Sequence, residues 1–134
     1  MDMKKKSILI VDDERSNIIS LTGILESDHE IYAASDGADA ICLAEKFLPD
    51  VILLDVMMSE MDGYSTISEL KKSEKTKHIP VIFITGLNDE ENEQYGLSLG
   101  ASDYIAKPFS SEIVKLRVLN QIKVIDQIKN STKK

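Results

Sequence analysis

The sequence predicts a doubly wound α/β fold with a five-stranded parallel sheet, and three observations carry that prediction. Ile8–Val11, Val51–Leu54 and Pro80–Ile84 are short, almost wholly aliphatic runs without polar alternation, the signature of strands buried on both faces. Stretches with apolar residues at helical spacing lie between the strand candidates, which is the alternation of βαβ units. Each strong strand also runs into a polar residue at its carboxyl end, where open α/β sheets form their ligand crevice: Asp12-Asp13, Asp55 and Thr85.

Taken in order, Ile8–Val11 is the first strand, and a helix carrying Ile18, Leu21 and Leu25 follows, with Asp13 as its expected N-cap. Glu30–Ala34 is a weaker strand, closed by the Ser35-Asp36-Gly37 turn. The second helix is expected from about Ala38 to Phe47, with Ala40, Leu43, Ala44 and Phe47 on its apolar face and Pro49 ending it. After Val51–Asp55 comes a loop to Gly63, then a helix bearing Ile67 and Leu70. Pro80–Ile84 ends in Thr85-Gly86, and Asn88–Glu91 opens an acidic helix that stops near Leu99, with Gly100 as its C′ residue. Ser102–Ala106 is the last strand. A long final helix begins near Ser110 or Ser111 and carries Ile113, Leu116, Leu119 and Ile122. Five strands and five helices suit the order 2-1-3-4-5, which places the three most aliphatic strands in the centre.

A chain of 134 residues with 43% hydrophobic content is enough for one domain with a core. The net charge of −7 argues against a nucleic-acid surface, because phosphate backbones demand clustered positive charge. Cys42 is the only cysteine; it excludes an internal disulfide and is expected to be a buried structural thiol in a reducing compartment. The basic Lys4–Lys6 end precedes an apolar run too short for the roughly 7–15 residues of a signal-peptide core. No stretch reaches the ~20 apolar residues of a membrane span, so a cytoplasmic location is expected. Lys133-Lys134 reads as a solvated end, and His29 and His78 receive no catalytic role.

The strand ends bring Asp12, Asp13, Asp55, Thr85 and, after the fifth strand, Lys107 to one edge of the sheet. Carboxylates gathered at one point repel unless a cation sits among them, and oxygen ligands select a hard ion such as Mg²⁺. The Lys107 ammonium and the Thr85 hydroxyl complete a receptacle for a phosphoryl group, and the central carboxylate, Asp55, is the natural nucleophile.

At this point the chain resembles the receiver domain of two-component response regulators. The resemblance covers residues 5 to 122 and is carried by Val11-Asp12-Asp13, Leu54-Asp55 with Met61-Asp62-Gly63, Ile84-Thr85-Gly86 and Lys107-Pro108-Phe109. It implies a flavodoxin-like receiver over residues 1–122, phosphorylated on Asp55 from the phosphohistidine of a histidine kinase or phosphotransfer protein. Asp13, Asp55 and the backbone carbonyl of Met57 would bind Mg²⁺ directly, and Asp12 through water. Lys107 would pair with the phosphoryl oxygens, Thr85 would donate to them, and Tyr104 would be the aromatic switch. A cis Lys107–Pro108 bond is implied as well. The chain would catalyse only its own phosphorylation and dephosphorylation. Its output would be an altered surface over the fourth helix, fifth strand and fifth helix, a face also suited to homodimers.

Several positions depart from the family pattern. Ser59 stands four after Asp55 where a proline is usual, and Gly86 follows Thr85 where alanine is common. Met57 and Leu87 are apolar and would flank the path of hydrolytic water, slowing dephosphorylation. Val124, Ile125 and Ile128 continue the last helix, so residues 123–134 are expected to be a stalk toward a dimer contact or an output domain outside this chain. The Thr85–Asp89 segment and this helix resemble receivers fused to cyclic-dinucleotide enzymes. The main alternative is a Mg²⁺-dependent phosphohydrolase with an aspartyl-phosphate intermediate, against which Met57 counts, since such enzymes carry a second acid there. A flavin-binding module would place a phosphate where Asp12-Asp13-Glu14 repels it.

Overall fold

A computed structural model of the chain describes residues 5–86 and 90–132. The order is β1 (Ser7–Val11), α1 (Arg15–Leu25), β2 (Glu30–Ala34), α2 (Gly37–Phe47), β3 (Val51–Asp55), α3 (Gly63–Lys72), β4 (Val81–Thr85), α4 (Glu90–Ser98), β5 (Asp103–Ala106) and α5 (Ser111–Thr132). All strands are parallel and ordered β2-β1-β3-β4-β5, as expected. Lys4, Leu87, Asn88, Asp89 and Lys133-Lys134 lie outside the described residues, so the expectations placed on them are not addressed by the structure.

Every residue of β1, β3 and β4 is buried, which explains their unbroken aliphatic runs: alternate side chains feed two cores. Leu9, Ile52, Leu54 and Phe83 face Ala40, Ala44, Ile67 and Leu70 of α2 and α3. Ile8, Ile10, Leu53 and Ile82 face Leu21 and Leu25 of α1 and Val114 and Val118 of α5. β2 is the half-exposed edge strand that its weaker pattern foretold.

Local chemistry sets the helix ends, and here some expectations need correction. Asp13 is not the N-cap of α1; Glu14 holds that position, without a side-chain cap bond, because Asp12 and Asp13 turn back toward the sheet edge. α2 starts at Gly37, one residue earlier than expected, capped by Asp36 accepting from the Asp39 N–H at 2.7 Å. It ends with Leu48 in the left-handed region (φ 49°) just ahead of Pro49, and Gly100 after α4 takes φ 109°. Phe47 does not join the core; it is 41% exposed and stacks on Tyr32 at 4.4 Å between centroids. Cys42 is exposed rather than buried, since the buried face of α2 is Gly37, Ala40 and Ala44.

The largest correction concerns α5. Its core face is Val114, Val118 and Ile122, spaced by four, whereas Ile113, Leu116 and Leu119 are 40%, 52% and 44% exposed. Past Ile122, Ile125 is half-buried and lines a groove with Leu48, Pro49 and Pro80. The Lys6 ammonium pairs with Asp126 at 3.2 Å, while Val124 and Ile128 are exposed. Among the described residues no helix is long and apolar enough to cross a membrane. Val118→Ala is therefore expected to cost about 2 kcal/mol in urea unfolding, and Leu116→Ala no more than about 0.5 kcal/mol. The reverse ranking would mean that α5 packs by its other face.

Candidate functional site

Strand register builds the site. Val11 pairs with Leu54, so Asp12, one step on, lies level with Asp55 at the end of β3. Asp55 pairs with Ile84, Ile84 with Ile105 and Thr85 with Ala106, which puts Thr85 one step and Lys107 two steps past the Asp55 level, on β4 and after β5. The parallel sheet thus delivers residues distant in sequence to one edge. Each of Asp12, Asp13 and Asp55 offers a carboxylate oxygen within 4.8 Å of the others. Asp12 and Asp55 are 1% and 3% exposed; Asp13 is exposed. Lys107 Nζ stands 3.4 Å from Asp12 Oδ2 and 3.4 Å from Asp55 Oδ2.

Backbone amides hold the acids in place. The Glu14 N–H donates to Asp12 Oδ1 (2.9 Å), the Met57 N–H to Asp55 Oδ1 (3.4 Å) and the Ser59 N–H to Asp13 Oδ2 (3.0 Å). Gly63 lies flat against Asp55: an added Cβ would overlap the Asp55 carbonyl oxygen and come 2.8 Å from Val56 Cα. Of the residues expected here, Asp12, Asp13, Asp55 and Lys107 converge, and Thr85 is buried beside them on β4. The Lys107–Pro108 peptide is cis. The Met57 side chain is 61% exposed and points away from the core.

Tyr104 lies apart, half-buried on β5 with its ring edge-on to Phe83 at 6.2 Å. It lines a groove of about 520 Å³ between α4, β5 and α5 with Glu93, Phe109, Ile113 and Arg117. Sequence reasoning missed the Ser59 amide. The signal was the absence of proline at that position, which reads as looseness until a partner for the N–H is seen.

Burial next to Asp12 pushes the Asp55 carboxyl up to about 6, against the pull of Lys107 and the Met57 amide. Three acids against one lysine, all with oxygen donors, fit a hard divalent cation, which would relieve the same repulsion. A carboxyl raised from 3.8 to about 6 binds its proton better folded than unfolded. It therefore costs the metal-free fold stability as pH rises from about 4 through 6, on the order of 2–3 kcal/mol in all. Asp55→Asn is expected to raise the metal-free melting temperature at pH 7.5, with a gain that shrinks as pH falls to 4. A gain of the same size at both pH values, in calorimetric scans, would contradict this origin.

A family model for the response regulator receiver domain matches residues 8–119. The chain is 43% identical over 117 residues to a Vibrio cholerae protein named probable cyclic di-GMP phosphodiesterase, covering 87% of this chain and 26% of that one. It is 40% identical over 126 residues to the response regulator PleD of Caulobacter vibrioides, covering 91% and 28%. The chain thus spans about a quarter of the length of these curated relatives. Among solved structures, the receiver domain of the Francisella response regulator 1452 superposes with a TM-score of 0.84 at 31% identity, covering 90% of this chain and 99% of that one. With its sheet order, its acidic strand ends and this match over most of its length, the chain belongs to the receiver-domain family of response regulators.

Proposed function

We propose that the chain is a phosphorylation-dependent switch that accepts a phosphoryl group on Asp55 from the phosphohistidine of a histidine kinase or phosphotransfer protein. The observation that carries the reading is the convergence of Asp12, Asp13 and Asp55 within 4.8 Å, with Lys107 at 3.4 Å from two of them. Asp13, Asp55 and the Met57 carbonyl would hold Mg²⁺, with Asp12 reaching it through water. The ion would supply positive charge for the phosphoryl oxygens.

The chain's own groups do the rest. An Asp55 oxygen attacks phosphorus as the phosphorus–nitrogen bond breaks, and the imidazole leaves and takes up a proton from solvent. Lys107 pairs with the charge that arrives, and Thr85 donates its hydroxyl to a phosphoryl oxygen. Drawing Thr85 inward makes room for Tyr104 to turn toward the core, biasing an equilibrium between two arrangements of the α4–β5–α5 face. The groove lined by Tyr104, Phe109 and Ile113 is where that change would be read, by a second copy of the chain or by an output unit. Residues 123–134 would be the stalk toward that unit. By analogy with the Vibrio cholerae relative, the output would be cyclic di-GMP turnover, carried by sequence outside the matched region. Such a module works in the cytoplasm.

Incubation with acetyl phosphate and Mg²⁺ is expected to add one phosphoryl group to the intact mass, and none to Asp55→Asn or with the ion chelated. Release of free phosphate without any adduct would favour a phosphohydrolase instead. The exposed apolar Met57 would keep attacking water poorly oriented, so Met57→Asn is expected to shorten the adduct's lifetime severalfold. An unaltered decay rate would remove Met57 from that role.

A further inference from the structure

We propose that the backbone N–H of Ser59 is a positioning group for the cation site: it ties the Asp13 carboxylate to the β3–α3 loop and so preorganises the acidic cluster. This inference rests on the reading of that cluster as a Mg²⁺ site.

Asp13 differs from the other two acids. Asp12 and Asp55 are buried and share Lys107, whereas Asp13 is exposed in the turn before α1 and enters no ion pair among the described residues. An exposed carboxylate on a turn samples several rotamers, and a cation that recruits it must overcome that freedom. The Ser59 N–H removes much of it with a 3.0 Å bond to Asp13 Oδ2 across 46 residues of sequence. Such a bond to an ionised acceptor is stronger than a neutral one. A carboxylate has about four lone-pair sites, so one amide leaves room for an ion.

The amide is itself on a braced frame. The loop from Val56 to Asp62 is fastened by the Met57 N–H to Asp55 Oδ1 at 3.4 Å and by the Gly63 N–H to the Val56 carbonyl at 2.8 Å. At its far end Asp62 caps α3 by accepting from the Ser65 N–H at 2.8 Å. Asp13 is therefore referenced to the acceptor strand through a short, internally bonded loop. Proline has no N–H, so only a different residue at position 59 can make this contact. The departure from the family pattern thus exchanges a stiff ring for a tether to the metal ligand. By linkage, a cation that fixes Asp13 also stiffens residues 56–62.

The test is Mg²⁺ titration of the full chain by calorimetry at pH 7.5. Ser59→Pro, which deletes the N–H, is expected to bind roughly tenfold more weakly, the lower end of what losing a ligand's hydrogen-bond partner does. Ser59→Ala, which restores the N–H, is expected to restore the affinity, and the metal-free melting temperatures of the two variants should lie close together. Ser59→Pro binding as tightly as wild type would overturn the inference while leaving the cation site standing. Wild type that binds no Mg²⁺ would overturn the site itself. Independently of how the proline variant folds, the Ser59 amide of metal-free wild type should be protected from hydrogen exchange and should shift in Asp13→Asn spectra. An unprotected, unshifted amide would also overturn it.

Discussion

The structure depends on the placement of two buried carboxylates, Asp12 and Asp55, around a single lysine. Charges removed from water are costly unless paired, and Lys107 at 3.4 Å from each pairs them only in part. The remainder of the imbalance is held by geometry. Neither acid can retreat, because each sits at the end of a central strand whose residues are all buried. Amides from Glu14 and Met57 lock the oxygens that face the backbone. A cluster kept under this constraint is relieved by anything that brings positive charge or neutralises a carboxylate, which is the physical ground for the proposed cation binding and acceptor chemistry.

The elements around the site are held with unequal strength. α2 and α3 pack closely: a Cβ on Gly37 would overlap the Thr66 hydroxyl of α3, and Thr66 is fully buried in the contact. α4 is different. Among its described residues only Gly96 is buried, lying against the Phe83 ring, and Tyr95 and Leu97 are 52% and 43% exposed. It is also held by the Tyr95 ring packed edge-on to Tyr64 at 4.8 Å and by the Tyr64 hydroxyl donating to Asn92 Oδ1 at 3.4 Å. A helix with so little buried apolar area is displaced at low cost, and it directly follows the strand that carries Thr85. Rigid strands that present charge and a loosely seated helix beside them together make a fold able to convert a local charge change into a surface change.

The sequence by itself determined the strands, their order and the membership of the acidic edge. Buried parallel strands leave long aliphatic runs, and a parallel sheet necessarily brings their carboxyl ends together, so Asp12, Asp55, Thr85 and Lys107 were legible without coordinates. Tertiary structure decided what periodicity leaves open. α5 is apolar at both Ile113-Leu116-Leu119 and Val114-Val118-Ile122, and which set is buried depends on the angle at which the helix meets the sheet. Phe47 and Cys42 lie outside the core because small residues let α2 approach α3 along a narrower face. The bond from the Ser59 amide to Asp13 could not be read either, since a backbone donor has no letter in the sequence and finds its acceptor only when two loops distant in the chain are folded against each other.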